Sequence, residues 1–292
     1  MYVATLLTAP ATPRLDGATV DAVRNAWGGG TALWLAPGIA AEFPLERLPD
    51  NRWDVWESLQ ALGVDLAVQE TAGRRKKLLI ADMDSTMIEQ ECIDELAALA
   101  GVGPRVAEIT LRAMNGELDF EAALRERVGL LEGLPESAVA EVLAERITCA
   151  PGGRSLVHTM KAKGGHTVLV SGGFTAFTGP VAARLGFDEA RANRLLIEAG
   201  RLTGRVAEPI LGREAKMAAL REVSARLGIG HEEVLAVGDG ANDLGMLHLA
   251  GMGVALHAKP SVAAECELRV IHGDLTAPLY LQGYARSEFA GG

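Results

Sequence analysis

Two aspartates two residues apart, Asp82 and Asp84, close an apolar run in LLIADMDST. On a continuing strand, side chains two apart share a face. Where the strand breaks into a loop, both carboxylates can instead turn toward one point. One can then act as a nucleophile toward phosphorus, splitting one hard displacement into two easier ones. The other can protonate the leaving alkoxide and later deprotonate the attacking water. The same spacing also makes a cation-binding turn without catalysis, and this motif by itself leaves both readings open.

Three further groups have chemical potential. GDGAND places Asp239, Asn242 and Asp243 at the end of another apolar run. Clustered carboxylates of this kind suit a hard cation with oxygen ligands, and Mg²⁺ where a phosphate supplies another ligand. Ser171-Gly172-Gly173 ends a third run, where a hydroxyl and adjacent N–H groups could bind phosphate oxygens; SGG is also ordinary turn chemistry. Lys216, in GREAKMAAL, could offset the charge of carboxylates and phosphate, although a lone lysine is more often a surface residue.

Something must hold these residues together. The runs 78–84, 166–173, 234–240 and 252–258 read as buried strands ending at Asp, Ser or Gly, with helical patterning between them. That alternation predicts a doubly wound parallel α/β sheet, whose ligands bind beyond the carboxyl ends of the strands. More than eighty residues separate the first two runs, far more than a crossover helix needs. The stretch from about 88 to 150 has helical spacing and is expected to be a helical cap over the strand ends. Residues 192–206 read as a β-hairpin by their central glycine. Residues 1–74 form a separate small α+β unit, with strands at 1–7, 31–36 and 64–70 and helices near 16–27 and 51–62; the main domain is then 75–292. The basic run Arg74-Arg75-Lys76-Lys77 between them is most simply a solvated linker.

In order and spacing, DMDST, VSGGF, Lys216 and GDGAND resemble the haloacid dehalogenase superfamily of phosphotransferases, closest to its phosphoserine phosphatase branch. The resemblance covers roughly residues 75–285 and implies a Rossmann-like core. EQECIDELA, the run 109–131, ANRL and LTGRV resemble that branch's own segments. The resemblance implies that Asp82 is the nucleophile and Asp84 the acid/base. It implies Mg²⁺ on Asp82, Asp84 and Asp239, with Asp243 orienting that set from behind. Substrate is then bound by Glu91, Met114, Phe120, Arg127, Ser171, Gly172, Lys216 and Asn242. Glu91 suits an ammonium and Arg127 a carboxylate, so the implied reaction is hydrolysis of phosphoserine, the last step of serine biosynthesis. Another small phosphorylated metabolite, or transfer to an acceptor alcohol, is the alternative. Spacing alone does not decide whether Arg125 or Arg127 points inward, and Met114 and Phe120 read without the resemblance as helix packing.

Other classes find less support. A formal net charge of −10 argues against a nucleic-acid or anionic-membrane surface. Cys92, Cys149 and Cys266 are widely spaced, which favours a reducing cytoplasm over a disulfide framework or zinc site, and Cys92 reads as a packing residue. The six histidines fall in no HxxxH or HExxH pattern, and there is no GxxxxGK[ST] loop. The first thirteen residues lack a basic n-region and carry two prolines, so no secretory leader is expected. The β/α order of the N-terminal unit resembles a small regulatory amino-acid-binding (ACT-like) domain; a structural or homodimerising module is the open alternative.

Overall fold

Val3 to Leu7 are buried without a break, the pattern of a strand covered on both faces. In the computed structural model, which describes residues 1–114 and 117–291 and only the backbone of Met114 and Arg213, they lie in β1 (Tyr2–Leu7). Strand β1 pairs antiparallel with β3 (Ala40–Leu45) and β4 (Asp65–Glu70), and β2 (Leu33–Ala36) completes a sheet ordered β2-β3-β1-β4. Helices α1 (Gly17–Trp27) and α2 (Arg52–Gln60) bring Val20, Val23 and Leu59 onto Leu6, Phe43 and Leu66. The Asp16 carboxylate caps α1 by accepting the Thr19 N–H at 2.7 Å.

The strands and helices expected in this unit are all present, and β3 is an addition. Pro44 hides it, since proline rarely sits inside a sheet. Its carbonyl accepts the Gly30 N–H at 3.0 Å, and its nitrogen faces that same edge, beyond the last β2 pair, Leu33 with Glu42. The missing N–H therefore forfeits no ladder bond.

The larger sheet has six strands in the order β12-β11-β10-β5-β6-β7. They are β5 (Leu78–Ala81), β6 (His166–Phe174), β7 (Glu189–Asn193), β10 (Val234–Gly238), β11 (Met252–Leu256) and β12 (Leu268–Val270). The pairs β10–β11, β11–β12 and β6–β7 are parallel. All of β5 is fully buried, as a central strand with both faces covered must be. The expected α/β class holds. Strand β5 ends at Ala81 rather than running through Asp84, and β7 and β12 are further strands, the first concealed by its polar sequence and the second by its three-residue length.

The chain divides into two units: 1–80 with 151–167 and 220–292, and 81–150 with 168–219. The first unit holds the four-stranded sheet, helix α7 (Gly153–Ala162) and the strands β10, β11 and β12. Within it the basic run 74–77 is only partly a solvated linker: Arg75 and Lys77 are exposed, while Arg74 and Lys76 are half-buried. Arg74 forms a bidentate pair with Glu42 at 2.6 and 2.9 Å, and Arg75 lies 4.4 Å over the Tyr284 ring. Lys76 Nζ donates to the carbonyls of Gly73 and Glu232, and Lys77 pairs with Glu233. Asp65, 1% exposed, accepts the N–H groups of Ile271, His272 and Gly273, tying β4 to the loop after β12.

The second unit holds the helical insert, α3 (Cys92–Leu99), α4 (Gly103–Met114), α5 (Phe120–Gly129) and α6 (Ser137–Glu145), and helix α8 (Thr175–Leu185). It also contains a hairpin of β8 (Leu195–Glu198) and β9 (Arg201–Val206). The hairpin turns through Ala199 and Gly200, both with positive φ, as a two-residue turn matched to strand twist requires. The hairpin is shorter than expected: Ala192 and Asn193 belong to β7. Helix α9 (Arg213–Leu227) follows. Three shorter helices, α10 (Leu244–Leu249), α11 (Pro260–Ala263) and α12 (Ala277–Leu281), complete the chain. No helix among the described residues is long and apolar enough to cross a membrane.

Candidate active site

After β5 the chain curls instead of extending. The buried Met83 carbonyl accepts N–H groups from Thr86, Met87 and Ile88 at 3.3, 2.8 and 3.0 Å. This turn places Asp82 and Asp84 on either side of a buried methionine. Asp82 is 5% exposed, and its Oδ1 accepts the Met83 N–H at 2.7 Å. The same oxygen pairs with Lys216 Nζ at 2.7 Å; the lysine side chain is 3% exposed. Such burial requires a charged partner, so Lys216 is a buried partner of Asp82 and not a surface lysine.

Asp84 has both oxygens engaged. Oδ1 accepts the Cys92 N–H at 2.8 Å and Oδ2 the Ser171 hydroxyl at 2.9 Å. Ser171 Oγ in turn accepts the Gly173 N–H at 2.8 Å. A Cβ at Gly173 would come within 3.0 Å of both Asp84 Oδ2 and Ser171 Oγ, so any larger residue would crowd both oxygens. A Cβ at Gly172 would come within 3.2 Å of the Phe120 ring. Phe120, the first residue of α5, therefore lies against the Ser171–Gly173 loop, and α5 is capped by Asp119 accepting the Ala122 N–H at 2.7 Å.

Glu91 stands at the N-cap position of α3 and accepts the Ser85 hydroxyl at 2.7 Å. Ser85 adopts φ +56°, uncommon for a residue with a side chain. The ambiguity between the two arginines of ALRERV is resolved. Arg125 is exposed and pairs with Glu121 and Glu208. Arg127 is half-buried and donates to the Ala123 carbonyl at 3.3 Å. Burial pushes its guanidinium pKa down, while the charges of Asp94, Glu91 and Asp84 draw it back up. Arg127 thus shares one environment with the acid/base candidate and Glu91. The Cys92 thiol is pushed up by burial and by Asp84, consistent with packing rather than reactivity. The side chain of Met114 lies outside the described residues.

In the GDGAND loop, Asp243 is fully buried, and its Oδ2 accepts the N–H groups of Asp239 and Gly240 at 3.1 and 2.9 Å. A Cβ at Gly238 would come within 2.5 Å of the Asp243 carboxyl carbon, which explains the glycine. Asn242 is half-buried, with its Oδ1 close to Gly240. Asp82 follows β5, and Asp239 and Asp243 follow β10 in the other unit. Carboxylates are the donors a hard divalent cation takes.

Two contributors escape the sequence reading. Asp94, one turn into α3, adds charge beside Arg127; its place within EQECIDELA was the available signal. Asn193, 2% exposed, bonds to Gly172 and Leu211; the signal was an asparagine in a strand, where that residue is disfavoured.

An α/β sheet with carboxylates, a serine and a buried lysine gathered beyond its strand ends defines a Rossmann-like hydrolase class. The chain belongs to the haloacid dehalogenase-like hydrolases, whose family description matches residues 79–248. It is 46% identical over 230 residues to a phosphoserine phosphatase of Streptomyces coelicolor, across 78% of this chain and 56% of that one. The matched stretch is thus a little over half the length of that curated relative. Among solved structures, a HAD family hydrolase from Salmonella enterica superposes with a TM-score of 0.85 at 30% identity, covering 96% of this chain and 97% of that one. A phospho-aspartyl intermediate analogue of phosphoserine phosphatase superposes with a TM-score of 0.66 at 40% identity, covering 70% of this chain and 98% of that one.

Proposed function

We propose that this chain hydrolyses phosphoserine to serine and phosphate through a phosphoaspartyl intermediate on Asp82. The observation that carries the reading is the chain of contacts from Lys216 to Asp82 and from Ser171 to Asp84, with Arg127 and Glu91 sharing the acid/base environment. Asp82 attacks phosphorus while the bond to the serine oxygen breaks, and Asp84 gives that oxygen a proton. Asp84 then takes a proton from water, which attacks the same phosphorus and frees the Asp82 carboxylate. Lys216, the Ser171 hydroxyl and the Gly172 N–H stabilise negative charge on the transferring oxygens. Glu91 holds the ammonium and Arg127 the carboxylate, while Phe120 and Met114 shield the site from water and Asn242 lies at the substrate. The Asp82 and Asp239 carboxylates and the Asp84 carbonyl would hold Mg²⁺, with Asp243 orienting the loop, and the ion would supply positive charge to the phosphate oxygens.

In this role the chain is a cytoplasmic enzyme of serine biosynthesis acting on a free small molecule. Residues 1–74 form its accessory domain, 75–292 its catalytic domain and about 88–150 the cap. The test is a panel of phosphoserine, phosphothreonine and a simple aryl phosphate, each assayed with Mg²⁺ and with chelator. Turnover should require the metal and favour phosphoserine, and Asp82→Asn should abolish it in a folded protein. Equal turnover of all three substrates would remove the phosphoserine assignment, and an active Asp82→Asn would remove Asp82 as nucleophile.

A further inference from the structure

Strands β6 and β7 run in register to Val170 with Arg191 and resume at Phe174 with Asn193. Ser171, Gly172 and Gly173 are left opposite Ala192 alone, so they bulge from the ladder. Asn193 sits where pairing resumes, 2% exposed. Its Nδ2 donates to the Gly172 carbonyl at 2.9 Å and to the Leu211 carbonyl at 3.2 Å, and its Oδ1 accepts the Leu211 N–H at 2.7 Å. One side chain therefore bonds both the bulged loop and the segment that opens α9.

We infer that Asn193 is a positioning residue that sets the bulged loop and the lysine-bearing helix in one fixed relation. This rests on the phosphatase reading above. The first arm runs through one peptide group. Asn193 fixes the Gly172 carbonyl, while the N–H of that same peptide, on Gly173, donates to Ser171 Oγ at 2.8 Å. Ser171 Oγ then donates to Asp84 Oδ2 at 2.9 Å. Successive hydrogen bonds of this kind polarise one another, and the peptide plane cannot tilt without disturbing the acid/base carboxylate. The second arm runs from Leu211 through Gly212 into α9, where Lys216 reaches Asp82 at 2.7 Å. Asn193 touches no reacting atom. It determines where the two groups that grip phosphate stand relative to each other.

Asn193→Asp keeps the shape and the acceptor for Leu211 but removes both donors. At the scale of a buried hydrogen bond, kcat should fall roughly 10- to 100-fold and the inhibition constant for inorganic phosphate should rise several-fold. KM for phosphoserine should shift less, because Glu91 and Arg127 are untouched. Activity is measured on protein shown to be folded by circular dichroism; if the aspartate does not fold, Asn193→Ser removes both carbonyl contacts without adding charge. A folded variant with kcat and phosphate inhibition within twofold of wild type overturns the inference and leaves the proposed function standing. A wild-type enzyme inactive on every phosphomonoester overturns the function, and the inference with it.

Discussion

Arg127 and Arg125 lie two residues apart on α5 and face different surroundings. Arg127 is drawn into the environment of Asp84, Glu91 and Asp94, while Arg125 stays at the surface with Glu121 and Glu208. Arg127→Ala should raise KM for phosphoserine about 10- to 100-fold, the scale of a charge-assisted pair, with little effect on a simple aryl phosphate. Arg125→Ala should change neither, because exposed pairs contribute little. Steady-state kinetics on the two substrates checks both, and equal loss on both substrates would count against a carboxylate-gripping role. The cysteines divide in the same way. Burial pushes the Cys92 and Cys266 thiols up, whereas Cys149 is half-buried. Iodoacetamide at mildly alkaline pH should label Cys149 first, as read by peptide mass spectrometry; early labelling of Cys92 would contradict its packing role.

At the scale of elements, the strand ends were legible because buried strands announce themselves as apolar runs, and the polar residue that ends each run is conspicuous. Asp82, Ser171 and Asp239 stand out that way. Strands whose residues are polar or that carry a proline leave no such mark: β7 reads EARAN and β3 carries Pro44. Asn193 lies within ANRL, but its bonds join Gly172 and Leu211, and sequence spacing carries no information about such a pairing. Close backbone approach was equally invisible, although Gly173 was singled out. Gly173→Ala would place a methyl 3.0 Å from Asp84 Oδ2 and Ser171 Oγ. Turnover should fall at least about tenfold, the effect of a contact worth roughly 1.4 kcal/mol, while far-UV circular dichroism is unchanged. Undiminished kcat would show that the Ser171–Gly173 loop tolerates displacement.

At the scale of the molecule, the basic run 74–77 is the clearest departure from expectation, and it changes how the N-terminal module must behave. A solvated linker would let that module move and unfold independently. Instead Arg74 is bonded to Glu42, Gln69 donates to the Leu281 carbonyl at 2.7 Å, and Asp65 collects the N–H groups of Ile271, His272 and Gly273. Burial pushes the Asp65 carboxyl above its ordinary range against the pull of those three groups, so the bond set is costly to leave half made. All four tryptophans, at 27, 34, 53 and 56, lie in the module, and their fluorescence reports on it and, through Arg269 at 3.9 Å from the Trp53 ring, on its contact with the C-terminal segment. In urea, tryptophan fluorescence and far-UV circular dichroism should therefore change in one coincident transition. Asp65→Ala leaves three N–H groups without their acceptor and should cost about 3 kcal/mol, read as a lower urea midpoint. If the tryptophan transition instead precedes the loss of circular dichroism in the wild-type chain, the module unfolds by itself. Its bonds to residues 271–281 would then contribute little to stability.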